Sequence, residues 1–200
     1  MAPTRVLIGA VVLAQLVYTG SVFAQDDDIP LRPSSAPYRG VVVDDKTGQP
    51  LPSAAVIILW QRLDDQIQGL RRLAGAREIF TNENGEFVHD ATSMEGRLPP
   101  RTFAPRILIF RPGYTPLPSR PQLFPPGVAA ARFTEAGASA RLAPVTDYED
   151  RAEAFNTFVA MLNAAQLFPP TELPETSELL RFELENLGAR PMKPTPPGGR

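Results

Sequence analysis

The sequence predicts a mainly β protein, an antiparallel β-sandwich followed by a pair of C-terminal α-helices. Three observations lead there. Short runs rich in Val, Ile and Phe recur between Tyr38 and Pro144, each bounded by Gly, Pro, Asn or Asp. The chain holds 23 prolines in 200 residues, about twice the average share of roughly 5%. Proline interrupts helices and central strands, so much of the chain must be turn, edge or loop. After Thr146 the apolar period changes from strand-like to helical.

The N-terminal residues read as an export signal over 1–24. Arg5 supplies a short positive segment, Val6 to Tyr18 is apolar, and Val22-Phe23-Ala24 provides the residues a signal peptidase reads. The apolar run is 13 residues long, against the roughly 20 that span a bilayer. Thr19, Ser21 and an acidic Gln-Asp-Asp-Asp stretch follow it. Cleavage after Ala24 is therefore expected, giving an exported chain, periplasmic or secreted, that does not span a membrane. Residues 25–36, acidic and then rich in Pro and Ser, are expected to form a flexible leader.

Tyr38 to Asp44 is a β-branched run of strand length. The stretch Asp-Asp-Lys-Thr-Gly-Gln-Pro-Leu-Pro then predicts a tight connection to a neighbouring strand. Asp caps its own backbone, Gly48 takes positive φ, and Pro50 and Pro52 fix φ near −65°. Ala54 to Trp60 is almost wholly apolar, which suits a strand buried on both faces or at a sandwich centre. Residues 63–77 fit either a short helix interrupted by Gly69 or a long surface loop. Ile79-Phe80 and Phe87-Val88 flank Asn84-Gly85, the strongest short-range hairpin dipeptide. Arg106 to Phe110 predicts another strand, ended by Arg111-Pro112-Gly113-Tyr114, and the alternating run from Ala138 closes the sheet.

The helical region spans 145–188. Thr146 or Asp147 is suited to cap the first helix, with Glu149 and Asp150 favouring its positive end. Tyr148, Ala152, Phe155, Val159 and Leu162 mark its apolar stripe. Phe168-Pro169-Pro170 ends it. Pro174 suits the start of the second helix, Leu180, Leu184 and Leu187 its buried face, and Gly188 its C-cap. Residues 189–200 are expected to be frayed.

Composition excludes several chemistries. The chain is 43% hydrophobic and 21% charged, normal for a globular core. Its net charge of −2, without a basic stripe interleaved with aromatics, predicts no nucleic-acid partner. It has no cysteine, which excludes disulfides, thiol catalysis and thiolate metal sites. His89 is the single histidine, so a His-based triad or a multi-His zinc site cannot form within one chain; a strand-end role beside Asp90 is expected. Neither G-x-S-x-G nor S-x-x-K occurs, and there is no P-loop or dinucleotide fingerprint. Aligning Gly85 with the sixth position of an EF-hand loop places Phe80 first and Ala91 twelfth, and neither ligates Ca²⁺. No catalytic, cofactor or metal residue is expected.

Gly40, Thr47-Gly48-Gln49-Pro50-Leu51, Ala54-Ala55-Val56, Thr81-Asn82-Glu83-Asn84-Gly85-Glu86-Phe87 and Pro112-Gly113-Tyr114 occur in that order. This pattern resembles the carboxypeptidase regulatory-like domain over about Pro37 to Pro144. The resemblance implies a transthyretin-like, Greek-key-type sandwich over 37–144 that accompanies another envelope component as an interaction or structural accessory. It also raises the transthyretin-like hydrolase of 5-hydroxyisourate, whose C-terminal Tyr-Arg-Gly-Ser is missing here; Tyr38-Arg39-Gly40 lies at the wrong end and lacks the Ser. Tyr38, Trp60, Arg111 and Tyr114 are the candidate partner or glycan surface. A carbohydrate-binding module using these aromatics is the second reading. A hydrolase using the loop carboxylates Asp44, Asp45, Asp64 and Asp65 is the third. The expected function is that of an exported, non-enzymatic module of the bacterial cell envelope, its partner a protein or a glycan.

Overall fold

A computed structural model describes residues 37–67, 70–90, 97–120, 126–168 and 170–188. The expected signal, leader and C-terminal tail lie outside them. The chain is mostly β, with two sheets and two helices near its C-terminus. The strands are β1 (Tyr38–Asp44), β2 (Ala55–Leu63), β3 (Arg71–Phe80), β4 (Glu86–His89), β5 (Arg106–Phe110), β6 (Val128–Ala129) and β7 (Ser139–Leu142). The helices are α1 (Tyr148–Ala164) and α2 (Pro174–Gly188). One sheet has the order β4-β1-β7 and the other β3-β2-β5-β6.

Three expectations about pairing are corrected. The Asp44–Pro52 connection does not join neighbours in one sheet, because β1 and β2 lie in different sheets. It is nonetheless tight: the Asp44 N–H donates to the Gln49 carbonyl at 2.8 Å, the Leu51 N–H returns to Val42 at 2.8 Å, and Gly48 takes φ +71°. Asn84-Gly85 likewise makes a turn without a hairpin, since β3 pairs with β2 and β4 with β1. A Cβ on Gly85 would lie 2.5 Å from the Val42 carbonyl oxygen, so the turn is pressed against β1. Finally, β7 runs parallel to β1 and makes that sheet mixed.

The segment 63–77 is neither helix nor loop for most of its length; Arg71–Phe80 is the longest strand. Its local sequence has no clean alternation, and pairing along the whole of β2 decides the outcome.

Strand β2 organises the interior. Val56, Ile58 and Trp60 join Val42, Phe87, Ala140 and Leu142 in a core shared by the two sheets. Ile57 and Leu59 face the other way, with Leu108 and Phe110, onto Phe158, Met161 and Leu162 of α1 and Leu180 of α2. The apolar run is therefore buried on both faces, one under strands and one under helices.

Asp147 caps α1, accepting from the Asp150 N–H at 3.0 Å. The buried positions of α1 are Ala154, Phe158, Met161 and Leu162; of the expected stripe, Leu162 is buried, Phe155 and Val159 pack half-buried against the same core, and Tyr148 is 39% exposed. Phe158 turns this face to the sheet, stacking on Phe110 of β5 with ring centres 4.5 Å apart. In α2 the buried positions are Thr176, Leu180, Glu183 and Leu187, with Leu184 exposed. Glu183 takes the place expected of a leucine because Arg151 of α1 grips it through two nitrogens at 2.7–3.2 Å. Glu78 of β3 accepts from the N–H groups of Glu175 and Thr176, at 3.2 and 2.9 Å, fixing the start of α2 to the sheet edge. The end of α1 is closed by Gln166 at φ +62°, with Gln166 N–H to Asn163 and Leu167 N–H to Leu162, a Schellman geometry that usually employs Gly.

Candidate functional site

The four aromatic and arginine residues expected to share a surface fall into two pairs at opposite ends of β1. Tyr38 opens that strand and Asp44 closes it, six residues or roughly 20 Å away. Tyr38 and Trp60 are at one end and are 3% and 0% exposed. Trp60 lies on the β2 face that carries Val56 and Ile58 into the shared core, so the alternation of the strand takes it inward too. Its indole Nε1 finds no hydrogen-bond partner among the described residues. The expectation of an exposed four-residue patch is corrected accordingly. His89 ends β4 as expected, its ring 6.1 Å from that of Trp60.

Arg111 and Tyr114 are together at the other end, the guanidinium 5.9 Å from the ring centre. The Tyr114 hydroxyl donates to Asp44 Oδ2 at 3.2 Å. Asp44 Oδ1 accepts from the N–H groups of Lys46 and Thr47, both at 2.8 Å. These donors, the Thr47 N–H foremost, hold the Asp44 carboxyl below the usual carboxylate range. Burial, and then the bond to Asp44, raises Tyr114 above the ordinary phenol. Two backbone bonds fasten the same corner: Thr115 N–H to Ala143 at 2.8 Å and Val145 N–H to Gly113 at 2.9 Å. The corner thus ties together the β1–β2 connection, the Pro112-Gly113 turn and the entry to α1.

The second acidic pair has a similar structural employment. Asp64 accepts from the N–H groups of Gln66 and Ile67 at 2.8 and 2.7 Å and from Arg72 Nε. The Arg72 bond is the main reason its carboxyl is held low. Asp65 lies 3.0 Å from Arg62 and 3.7 Å from Arg101, and Asp45 lies 3.8 Å from Arg141. A carboxylate held charged by such donors is a weak base and serves its turn. The two acidic pairs are not brought to one place.

Sequence reasoning did not foresee a groove of about 510 Å³ beside β4. Arg39 and Val41 of β1, Phe80 of β3, Asn82, Glu86 and Val88 contribute to its lining. Val88 is 63% exposed, and Asn82 Nδ2 donates to Glu86 Oε2 at 3.0 Å. The groove depends on three stretches far apart in sequence, within 39–41, 79–88 and 137–138, that strand pairing brings together, which no local pattern signals.

No family model matches the chain, and no curated protein matches it. Among solved structures, the chain shows a likeness to 3-chlorocatechol 1,2-dioxygenase from Rhodococcus opacus 1CP, with 20% identity, a TM-score of 0.24, and 44% of each chain covered. Another is to a 9R-lipoxygenase from Cyanothece PCC8801, with 11% identity, a TM-score of 0.24, and 70% of this chain and 25% of that one covered. The chain thus spans less than half the length of either protein, and likenesses this slight carry no argument about fold or activity.

Proposed function

We propose that the chain is an exported, non-enzymatic module of the carboxypeptidase regulatory-like kind, a transthyretin-like Greek-key sandwich over 37–144, that binds another cell-envelope protein. The groove beside β4 is the observation that carries the binding reading. Apolar Val41, Phe80 and Val88 alternate there with Arg39, Glu86 and Asn82, a mixture suited to a protein segment with both apolar and charged side chains. The shared core of the two sheets supports the sandwich, and the Arg5, Val6–Tyr18 and Ala24 pattern supports export with cleavage. The turn duties of Asp44 and Asp64 favour the non-enzymatic reading over a carboxylate hydrolase, and the burial of Trp60 removes the aromatic platform that a glycan would need.

A photo-crosslinking residue at Val88, with a control at Glu185 on α2, tests the groove in intact envelopes. A reproducible protein adduct from position 88 alone is the expected result. Equal adducts from both positions, or none from position 88, would count against it. Replacing Asp44, Asp45, Asp64 and Asp65 by Asn and finding a lost hydrolytic activity would reinstate the enzyme.

A further inference from the structure

We infer that the groove beside β4 takes an extended, acidic segment of its partner, whose main chain bonds to Val88 and whose carboxylate sits on Arg39. The inference rests on the protein-binding reading above and names the chemistry of what that groove binds. Charge selects the acid. Arg39 and Glu86 are the charged residues of the lining, and only Glu86 is employed by the fold: its Oε2 accepts from Asn82 Nδ2 at 3.0 Å. Arg39 is exposed and makes no hydrogen bond, ion pair or ring contact among the described residues. By contrast, Arg62, Arg72, Arg151 and Arg181 each hold an acid, and Arg111 lies over Tyr114. A guanidinium left open in this way offers two parallel N–H bonds to a carboxylate.

The backbone selects a peptide over a small anion. The Val42 N–H donates to the Gly85 carbonyl at 2.8 Å, so antiparallel alternation turns Phe87 toward β1, and the N–H and C=O of Glu86 and Val88 away from it. At Glu86 both groups are closed by Asn82: the Glu86 N–H donates to Oδ1 at 2.9 Å, and the carbonyl accepts from the Asn82 N–H at 3.0 Å. At Val88 neither has a partner among the described residues, and β4 is the edge strand of its sheet. An open N–H and C=O at a sheet edge bind an extended main chain. Arg39 stands directly across from Val88, one strand in from that edge, about 5 Å, a span its side chain covers. The Val88 side chain, 63% exposed, joins Val41 and Phe80 in offering apolar contact. A dissolved anion would engage Arg39 and leave those three side chains unused.

A phage-displayed library of random short peptides, selected on the immobilised full chain, tests this. The expected peptides carry Asp or Glu flanked by Val, Ile or Leu, and bind more weakly as salt is raised. For the strongest of them, made synthetically, Arg39→Gln is expected to weaken binding about fivefold and Val88→Ala about tenfold. Selection on Arg39→Glu should turn to peptides bearing Lys or Arg. Both positions are exposed, so these variants should melt with the parent. No enrichment, enriched peptides without acids, or an affinity unchanged in Arg39→Gln would each overturn the inference. So would another occupant of the groove: peptide affinity that rises when Asp26, Asp27 and Asp28 are replaced by Asn would place the chain's own acidic residues there, and chain-to-chain adducts from a photo-crosslinking residue at Val88 would place a second copy there. A protein adduct from position 88 in envelopes, alongside selected peptides without acids, would sink the acidic segment and leave the protein-binding reading standing.

Discussion

The two faces of the β3-β2-β5-β6 sheet are built from the same two strands and differ in what covers them. Val56, Ile58, Trp60, Ile107 and Ile109 face the three-stranded sheet; Ile57, Leu59, Leu108 and Phe110 face the helices. Aromatic contacts differ in the same way. Phe87 and Phe133 on the strand side are tilted at 59° with centres 5.5 Å apart, whereas Phe110 and Phe158 on the helix side stack at 11° and 4.5 Å. The comparison teaches that α1 and α2 complete a core, so 37–144 lacks a cover for one face without them.

Removing everything after Val145 should therefore have the largest effect. It exposes Ile57, Leu59, Leu108 and Phe110, each contributing ~1.5–3 kcal/mol when buried. Their sum is comparable to the ~5–15 kcal/mol that stabilises a whole domain. The truncated chain is expected to lose its cooperative thermal transition, read by near-ultraviolet circular dichroism. A truncated chain that melts like the parent would show that the helices merely rest on the sheet.

Phe110→Ala on the helix side and Phe87→Ala on the strand side come next, each expected to cost ~3–5 kcal/mol in urea unfolding. Equal costs with an unchanged m-value mean the two cores unfold as one unit. A smaller effect on Phe110, with a broadened transition, would mean that the helices leave first. Glu183→Ala should rank below these. Its pair with Arg151 joins α1 to α2, and Glu183 keeps 2% side-chain exposure against 31% for Arg151. Stranding one member of a fully buried pair costs ~3–5 kcal/mol; because water reaches Arg151, about 2 kcal/mol is expected. Replacing both residues by Leu should recover most of it.

The difference between the faces also explains what the sequence could reveal. β1 and β5 were legible to the residue because β-branched runs there end at Asp44 and at the Pro112-Gly113 turn. The double burial of β2 was legible from an apolar run without alternation. The sheet partners were not: a Gly-Pro or Asn-Gly turn specifies that the chain reverses, not whether the next strand joins the same sheet. β3 was hidden because Arg-Arg-Leu-Ala-Gly-Ala owes its extended form to pairing with β2. The buried face of α2 departs from its leucine spacing at Glu183, where an ion pair replaces an apolar contact. For the site, the Arg111–Tyr114 pair was legible from one turn, whereas the groove requires residues that only the pairing of strands brings together.

The smallest predicted effect sharpens the comparison through acid. Asp44 fastens the strand-side corner and Asp147 caps α1 on the helix side. Both carboxyls are held below the ordinary range, by the Thr47 N–H foremost at Asp44 and by the Asp150 N–H foremost at Asp147. A carboxyl whose folded value lies below its unfolded one, near 4, adds stability that is complete above that unfolded value. It is lost as the pH falls through the folded value. Asp44→Asn and Asp147→Asn should each lower stability at neutral pH and flatten its decline below about pH 4. Trp60, the single tryptophan, sits between the sheets and reports the strand side; ellipticity at the helical band reports α1 and α2. If both faces belong to one cooperative unit, the two signals coincide during acid titration of each variant. If Asp147→Asn shifts ellipticity at a higher pH than Trp60 emission, the helices separate from a sheet that stays folded, and the truncated chain of the first prediction should then fold as well.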